Sequence, residues 1–320
     1  MIVLGVFGIS LSSIIVKFST APSAVTALYR LAWTVVLMLP FVLGKKNIRK
    51  ELFSVDKKTF LLSLFSGIFL AIHFILWFES LSFTSVASST TIVCTEVIWV
   101  ALGYCLFLKG KIPFKGVISI VIALIGSTVI AFSDSSDKNN LYGDILALLA
   151  AIAVAMYMLL GRTVRKTASN SVYTFLVYLS CTISLAVVCL FKRYPIFQEK
   201  SAVIAGLLLS IFSTLLGHSI FSWCLKYFSP SFVSASKLCE PVIAAILAVM
   251  IFKELPDIMM LLGGFMILSG VFIYSLVENK NQYSLCLRHL TTQAFFIVAI
   301  ILQHFYKKSI RVLAWKVQVN

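Results

Sequence analysis

The sequence predicts an all-α membrane protein: ten transmembrane helices arranged as two inverted five-helix repeats. Three observations carry this expectation. Of the 320 residues, 60% are hydrophobic and 12% charged, and the mean hydropathy is +1.01, which excludes a soluble domain of ordinary make-up. Apolar stretches of about 17 to 25 residues, each long enough to cross about 30 Å of hydrocarbon as a helix, recur between short polar breaks. The chain also matches itself at an offset of 144 residues: Leu81-Ser82-Phe83-Thr84-Ser85 falls on Leu225-Lys226-Tyr227-Phe228-Ser229, Tyr29 on Tyr173, Glu96 on Glu240 and Gly126 on Gly270.

In order, the expected spans are roughly residues 1–18, 23–43, 60–80, 86–108, 115–132, 143–161, 172–191, 202–225, 231–252 and 257–277. The alternation of a barrel strand is absent from them, so their backbone polar groups are satisfied within helices. Lys45, Lys46, Arg49, Lys50, Lys57 and Lys58 separate spans two and three. With Lys109, Lys111, Lys115, Arg162, Arg165, Lys166 and Lys226 they place thirteen cations on one set of connections. The other set holds five: Lys138, Lys192, Arg193, Lys200 and Lys253. The richer set belongs in the cytoplasm, which puts both termini there. An odd number of spans in each half then inserts the halves in opposite orientations.

Residues 1–133 form the expected first repeat, 134–142 the connecting loop, 143–278 the second repeat and 279–320 a basic tail. In the tail, the apolar run Ala294 to Leu302 is too short to span, and Lys307, Lys308, Arg311 and Lys316 follow it. An interfacial helix on anionic lipid is the first reading, with disorder or an eleventh span as alternatives. The N-terminus lacks the basic region and small-residue cleavage site of a signal peptide, so the first span is expected to remain. The formal charge of +15 reflects topology and tail, and no nucleic-acid partner is expected.

The stretch Trp77-Phe78-Glu79-Ser80-Leu81-Ser82-Phe83-Thr84-Ser85-Val86-Ala87-Ser88-Ser89 resembles the junction of the third and fourth spans in the EamA-type branch of the drug/metabolite transporter superfamily. Its counterpart is Gly217-His218-Ser219-Ile220-Phe221-Ser222-Trp223-Cys224-Leu225-Lys226-Tyr227, followed by Glu240-Pro241-Val242 and Phe252-Lys253-Glu254-Leu255. The resemblance covers about residues 1 to 278. It implies ten helices in two inverted repeats, a central cavity, and export or exchange of small metabolites by alternating access. Val97 and Lys111 depart from it, standing where such proteins usually carry a proline and an acidic residue; the second half keeps both as Pro241 and Glu254.

Ionisable groups at bilayer depth are the leading functional candidates, since an uncompensated charge there costs at least about 2.5 kcal/mol. Glu96 and Glu240 occupy equivalent places and are expected near the repeat axis, where carboxylates can hold a cation or a proton. A structural alternative pairs Glu240 with Lys237, three residues earlier on one helical face; equally, Lys237 can grip a substrate carboxylate. His73 and Trp77 share a face of span three, and His218 and Trp223 lie on span eight; they are candidates for binding substrate, against simple packing and hydrogen bonds to backbone. Arg30, beside Tyr29 in span two, reads as an anchor or gate, a place where the resembled proteins often carry Arg. Lys17 is expected to snorkel and Glu79 to be interfacial. Gly5, Gly8, Gly126, Gly263, Gly264 and Gly270 read as points of close helix approach. Six cysteines within spans, at no metal-ligand spacing, read as core residues.

The favoured class is a secondary carrier of a small molecule, amino-acid-like or nucleoside-like, working in the plasma membrane as a monomer or homodimer. No nucleotide-binding loop is present, so neither ATP nor a cofactor is expected, and proton coupling stays open. An intramembrane enzyme lacks its motifs, and a flippase of a lipid-linked intermediate is the nearest rival.

Overall fold

The computed structural model of the chain describes residues 1–16, 18–84, 86–133, 141–195, 200–240, 242–243 and 258–281. Lys17, Pro241, Glu254, most of the connecting loop and nearly all of the basic tail, all given a role above, lie outside them.

Among the described residues every regular element is helical. The first expected span holds α1 (Ile2–Ser10) and α2 (Ser12–Val16), and the second is α3 (Ser23–Gly44). A short basic helix, α4 (Lys46–Phe53), leads to α5 (Lys57–Phe83). The fourth is broken into α6 (Val86–Cys94) and α7 (Glu96–Leu108). Then come α8 (Phe114–Ser133), α9 (Leu141–Val164) and α10 (Asn170–Phe191). The eighth comprises α11 (Lys200–Leu208), a π-helical stretch Leu209–His218, and α12 (Ser219–Cys224). α13 (Pro230–Lys237) opens the ninth, and α14 (Ile258–Asn281) fills the tenth. Seven described helical segments are long and apolar enough to cross a membrane, and two shorter apolar ones occupy Ile2–Val16 and Phe114–Ile130.

Local chemistry sets the helix starts. Asp56 caps α5 by accepting from the Thr59 amide at 2.9 Å, and this bond holds its carboxyl below the usual carboxylate range. Ser169 and Ser229 cap α10 and α13 in the same way, the latter with Pro230 at the first helical position. Glu278 reinforces the second cap: Oε1 accepts from the Ser229 amide at 2.7 Å and Oε2 from its hydroxyl at 3.0 Å.

Interior packing depends on close helix approach. A Cβ on Gly126 would lie 2.6 Å from the Gly263 carbonyl oxygen, and one on Gly270 would lie 2.6 Å from that of Ser119. These two contacts exchange under the 144-residue offset, and their order along the chains makes α8 and α14 antiparallel. Gly8 meets the Phe212 carbonyl as tightly, whereas Gly264 has only ordinary contacts. The largest core, around Leu70, Phe74, Tyr173 and Tyr178, is built from both halves. Many apolar side chains of α5, α8 and α14, such as Phe65, Val121 and Phe265, face outward, as lipid requires.

The breaks in the fourth and ninth spans correspond. At Thr95 the chain tightens, with the Thr95 amide donating to Ile92 oxygen at 3.0 Å. At the equivalent point Leu238 and Cys239 donate to Ala235 and Ser236, also three residues back. Helical geometry resumes at Glu96 in one case and at Glu240 in the other. The first-half interruption forms with Val97 in the place of a proline; its counterpart Pro241 lies outside the described residues.

Candidate functional site

A cavity of about 50 Å³ lies between the two halves. α1–α2 contribute Ile9 and Ser12, α3 Arg30, α5 His73 and Trp77, and the broken fourth span Thr90, Val93, Cys94 and Glu96. The second half adds His218 from the π-helical stretch and Ser234, Lys237, Leu238 and Glu240 from the ninth span. Ligand pockets of metabolite carriers and enzymes typically reach about 300 Å³ or more, so a metabolite requires the walls to part.

Two of the four charges here neutralise each other. Lys237 Nζ donates to Glu96 Oε1 at 2.7 Å and to Oε2 at 3.0 Å, and it lies 5.8 Å from the centre of the Phe221 ring. The local Lys237–Glu240 pair weighed from the sequence does not form. The tight turn at Leu238–Cys239 interrupts the helical face on which residues three apart would meet. Glu240 makes no ion pair or side-chain hydrogen bond among the described residues, and its backbone carbonyl accepts from Ser10 at 3.3 Å. Under the 144-residue offset the counterpart of Lys237 is Val93, so the first half supplies no lysine equivalent to the one that Glu96 bonds.

Arg30 is completely buried and held by neutral groups. Nε donates to Thr214 Oγ1 at 2.8 Å, Nη1 donates to Ser12 Oγ at 3.1 Å, and the guanidinium carbon lies 4.3 Å from the Phe74 ring centre. The π-helical stretch delivers Thr214: its wider turn lets the Thr214 hydroxyl donate to Leu209 oxygen, five residues back, at 3.3 Å. That hydroxyl is thereby oriented to accept from Arg30.

His73 Nδ1 lies 3.0 Å from the Ala150 carbonyl, which can only accept, so this nitrogen carries the proton. The imidazole stacks on Trp77, with centroids 5.9 Å apart and planes within 14°. His218 sits edge-on to Phe74 at 5.5 Å and near Tyr157 at 6.2 Å. Two polar atoms at the cavity have no partner among the described residues: the Trp77 indole nitrogen and the Thr90 hydroxyl.

Of the residues singled out from the sequence, Arg30, His73, Trp77, Glu96, His218, Lys237 and Glu240 meet at this cavity. Trp223 and Tyr29 do not line it. Trp223 packs on Tyr227, centroids 4.7 Å apart, and Tyr29 abuts Gly206. Sequence reasoning missed Ser12, Thr214 and Phe74, which hold Arg30. Serine and threonine are common within spans here, and only the long-range arginine contact marks these two hydroxyls. Among the described residues no cluster of His, Cys, Asp and Glu has the makings of a metal site.

The EamA-like transporter family model matches residues 1–132 and 141–276. The chain belongs to this family and is a multi-pass membrane protein. An uncharacterized transporter of Clostridium kluyveri is 22% identical over 211 residues, covering 63% of this chain and 68% of the relative. The uncharacterized transporter YxxF of Bacillus subtilis is 26% identical over 235 residues, 71% of this chain and 73% of that protein. One from Archaeoglobus fulgidus is 23% identical over 259 residues, 79% and 88% of the two chains. A crystal structure at 13% identity superposes with a TM-score of 0.71, covering 87% of this chain and 98% of the other, a likeness of fold.

Proposed function

We propose that the chain is a secondary carrier that moves a small polar metabolite, amino-acid-like or nucleoside-like, across the plasma membrane by alternating access. The observation that carries this reading is the convergence of ionisable side chains from both halves on one interior cavity: Arg30, His73 and Glu96 from the first, His218, Lys237 and Glu240 from the second. A charged, polar interior between two packed halves has a large desolvation cost, and a route for polar solutes is the ordinary reason for such a site in a membrane protein. Ten spans in two inverted repeats, with both termini cytoplasmic, complete the reading. The exchange of the Gly126 and Gly270 contacts under the repeat offset supports it. So do the matching breaks before Glu96 and Glu240, which leave discontinuous helices beside the cavity. Opening would proceed by rocking of the halves, with the Lys237–Glu96 bond between them remade in each cycle.

The test is counterflow by purified protein in sealed vesicles, using pooled radiolabelled amino acids and nucleosides, with and without a pH gradient. Exchange of labelled solute against unlabelled solute inside is the expected result, and a response to the gradient would add proton coupling. Failure of correctly inserted protein to move any pool member removes the reading in favour of a lipid-linked substrate.

A further inference from the structure

We infer that α4 is a docking surface for anionic phospholipid, with Lys46, Arg49 and Lys50 holding phosphate-bearing headgroups around an inserted Phe53. The inference goes beyond the carrier reading and does not depend on it. Residues 45–58 carry six cations and two acids. Both acids are turned to backbone amides: Glu51 Oε1 accepts from Ser169 at 2.6 Å, and Asp56 accepts from Thr59 at 2.9 Å. No cation of the segment forms an ion pair among the described residues. Lys45 Nζ lies 4.1 Å from the centre of the Phe41 ring, and Arg49 Nη1 donates to the Leu43 carbonyl at 3.4 Å. The segment therefore presents a surplus of positive charge to whatever lies beside it.

Helix geometry sorts these residues into two faces. Ile48, Glu51 and Leu52, all half-buried, fall on one arc of about 100°. Lys46, Arg49, Lys50 and Phe53, all exposed, fall on another of about 100°, with Phe53 between Arg49 and Lys46 and 78% exposed. The Glu51 bond fixes the direction of each arc. Ser169 caps α10, which packs against α3 and α5, so the line from Glu51 to Ser169 runs into the bundle and the cationic face turns outward. The flanking spans fix its depth. Phe41 and Leu43 are exposed just before α4, and Phe60 and Leu61 just after it, as side chains that meet lipid tails are. α4 thus lies at the level of the headgroups. A cation cluster beside the end of a span is an electrostatic site for anionic lipid, and an exposed aromatic within it adds apolar insertion. A soluble acidic partner would gain nothing from Phe53 at that depth.

The experiment uses the full chain, without native cysteines, in nanodiscs of phosphatidylcholine. Asn47→Cys, exposed beside the cationic face, carries a bimane fluorophore. Nitroxide-labelled phosphatidylglycerol or nitroxide-labelled phosphatidylcholine is titrated in, and quenching reports lipid next to α4. The apparent affinity for phosphatidylglycerol is expected to be at least about fivefold higher, the factor that one cation near an anionic surface supplies. At about 1 M salt, where screening acts within about 3 Å, that preference should largely disappear. Joint Lys46→Gln, Arg49→Gln and Lys50→Gln should abolish it at low salt, whereas joint Lys109→Gln, Lys111→Gln and Lys115→Gln should not. Phe53→Ser should weaken quenching by both lipids. Should the α4 triple variant fail to elute as a single species, the two-lipid comparison and its salt dependence on the chain with α4 intact still decide. Equal quenching by the two lipids at low salt, or quenching by neither, overturns the site. Equal loss of preference in both triple variants also overturns it, in favour of diffuse surface charge, and unchanged quenching in Phe53→Ser overturns the insertion. Each of these results leaves the carrier reading standing.

Discussion

Lys237 reaches across the interface between the two halves to Glu96, 2.7 Å away, and forms no ion pair with Glu240, three residues further along its own chain. The duplication explains why only one such bond forms. Each half supplies a carboxylate just after a helix break, but only the second supplies the lysine; the first has Val93 there. The asymmetry commits Glu96 to the bond across the halves and leaves Glu240 without an equivalent one among the described residues.

Lys237→Met should therefore destabilise the protein by about 3 to 5 kcal/mol, because it strands the buried Glu96 carboxylate. Adding Glu96→Gln should recover most of that loss, while adding Glu240→Gln should recover little. Thermal unfolding of the single and double variants in detergent measures the difference. Equal rescue by both glutamines would mean that Lys237 serves the two carboxylates alike.

The glycine contacts between α8 and α14 give a second test. In an exposed helix Gly→Ala is worth about 1 kcal/mol in favour of alanine. At Gly126 and Gly270 the new methyl would lie 2.6 Å from a backbone carbonyl that cannot rotate away, and overpacking costs about 1 to 3 kcal/mol. The clash should outweigh the propensity, so both variants are expected to melt lower than the parent, by similar amounts, and Gly264→Ala should not. A raised melting temperature for Gly126→Ala would show that α8 and α14 are free to separate.

How much of this was legible in the sequence depends on the range of the interaction. Seven of the expected spans recur as long apolar helical segments, because hydropathy is local, and the offset match needs no geometry. Glu96, Glu240 and Arg30 stood out because charge is rare in such segments. Lys237 illustrates the limit: the i, i+3 rule pointed to Glu240, but it presumes an unbroken helix, and the turn at Leu238–Cys239 removes that premise. Trp223 illustrates another. It stands five residues after His218 in the α-helical α12, which turns it about 140° away from the face that His218 presents to the cavity.

Inverted insertion has its own direct test. Phe114 begins α8 and Ile258 begins α14; they are equivalent under the offset, and both side chains are exposed. In a variant without native cysteines, Phe114→Cys is expected to react with an impermeant maleimide only from the cytoplasmic side, and Ile258→Cys only from outside. Labelling of both from one side would rule out opposite orientations of the two halves.

The cap on α13 links the end of α14 to the cavity. Glu278 accepts from both the amide and the hydroxyl of Ser229, and Ser229 in turn accepts from the Phe232 amide at 3.2 Å, so one buried carboxylate fixes the start of the helix that carries Lys237. Ser229→Ala loses the side-chain cap and should cost about 1 kcal/mol. Glu278→Ala leaves a buried amide and a buried hydroxyl without their acceptor, which should cost more, about 1 to 3 kcal/mol for each group. Because α13 positions Lys237, the Glu278 variant should also weaken the bond to Glu96. In the Glu278→Ala background the added effect of Lys237→Met on thermal unfolding should therefore shrink. Full additivity of the two substitutions would show that the cap and the ion pair are independent, and that α13 holds its place in the membrane without Glu278.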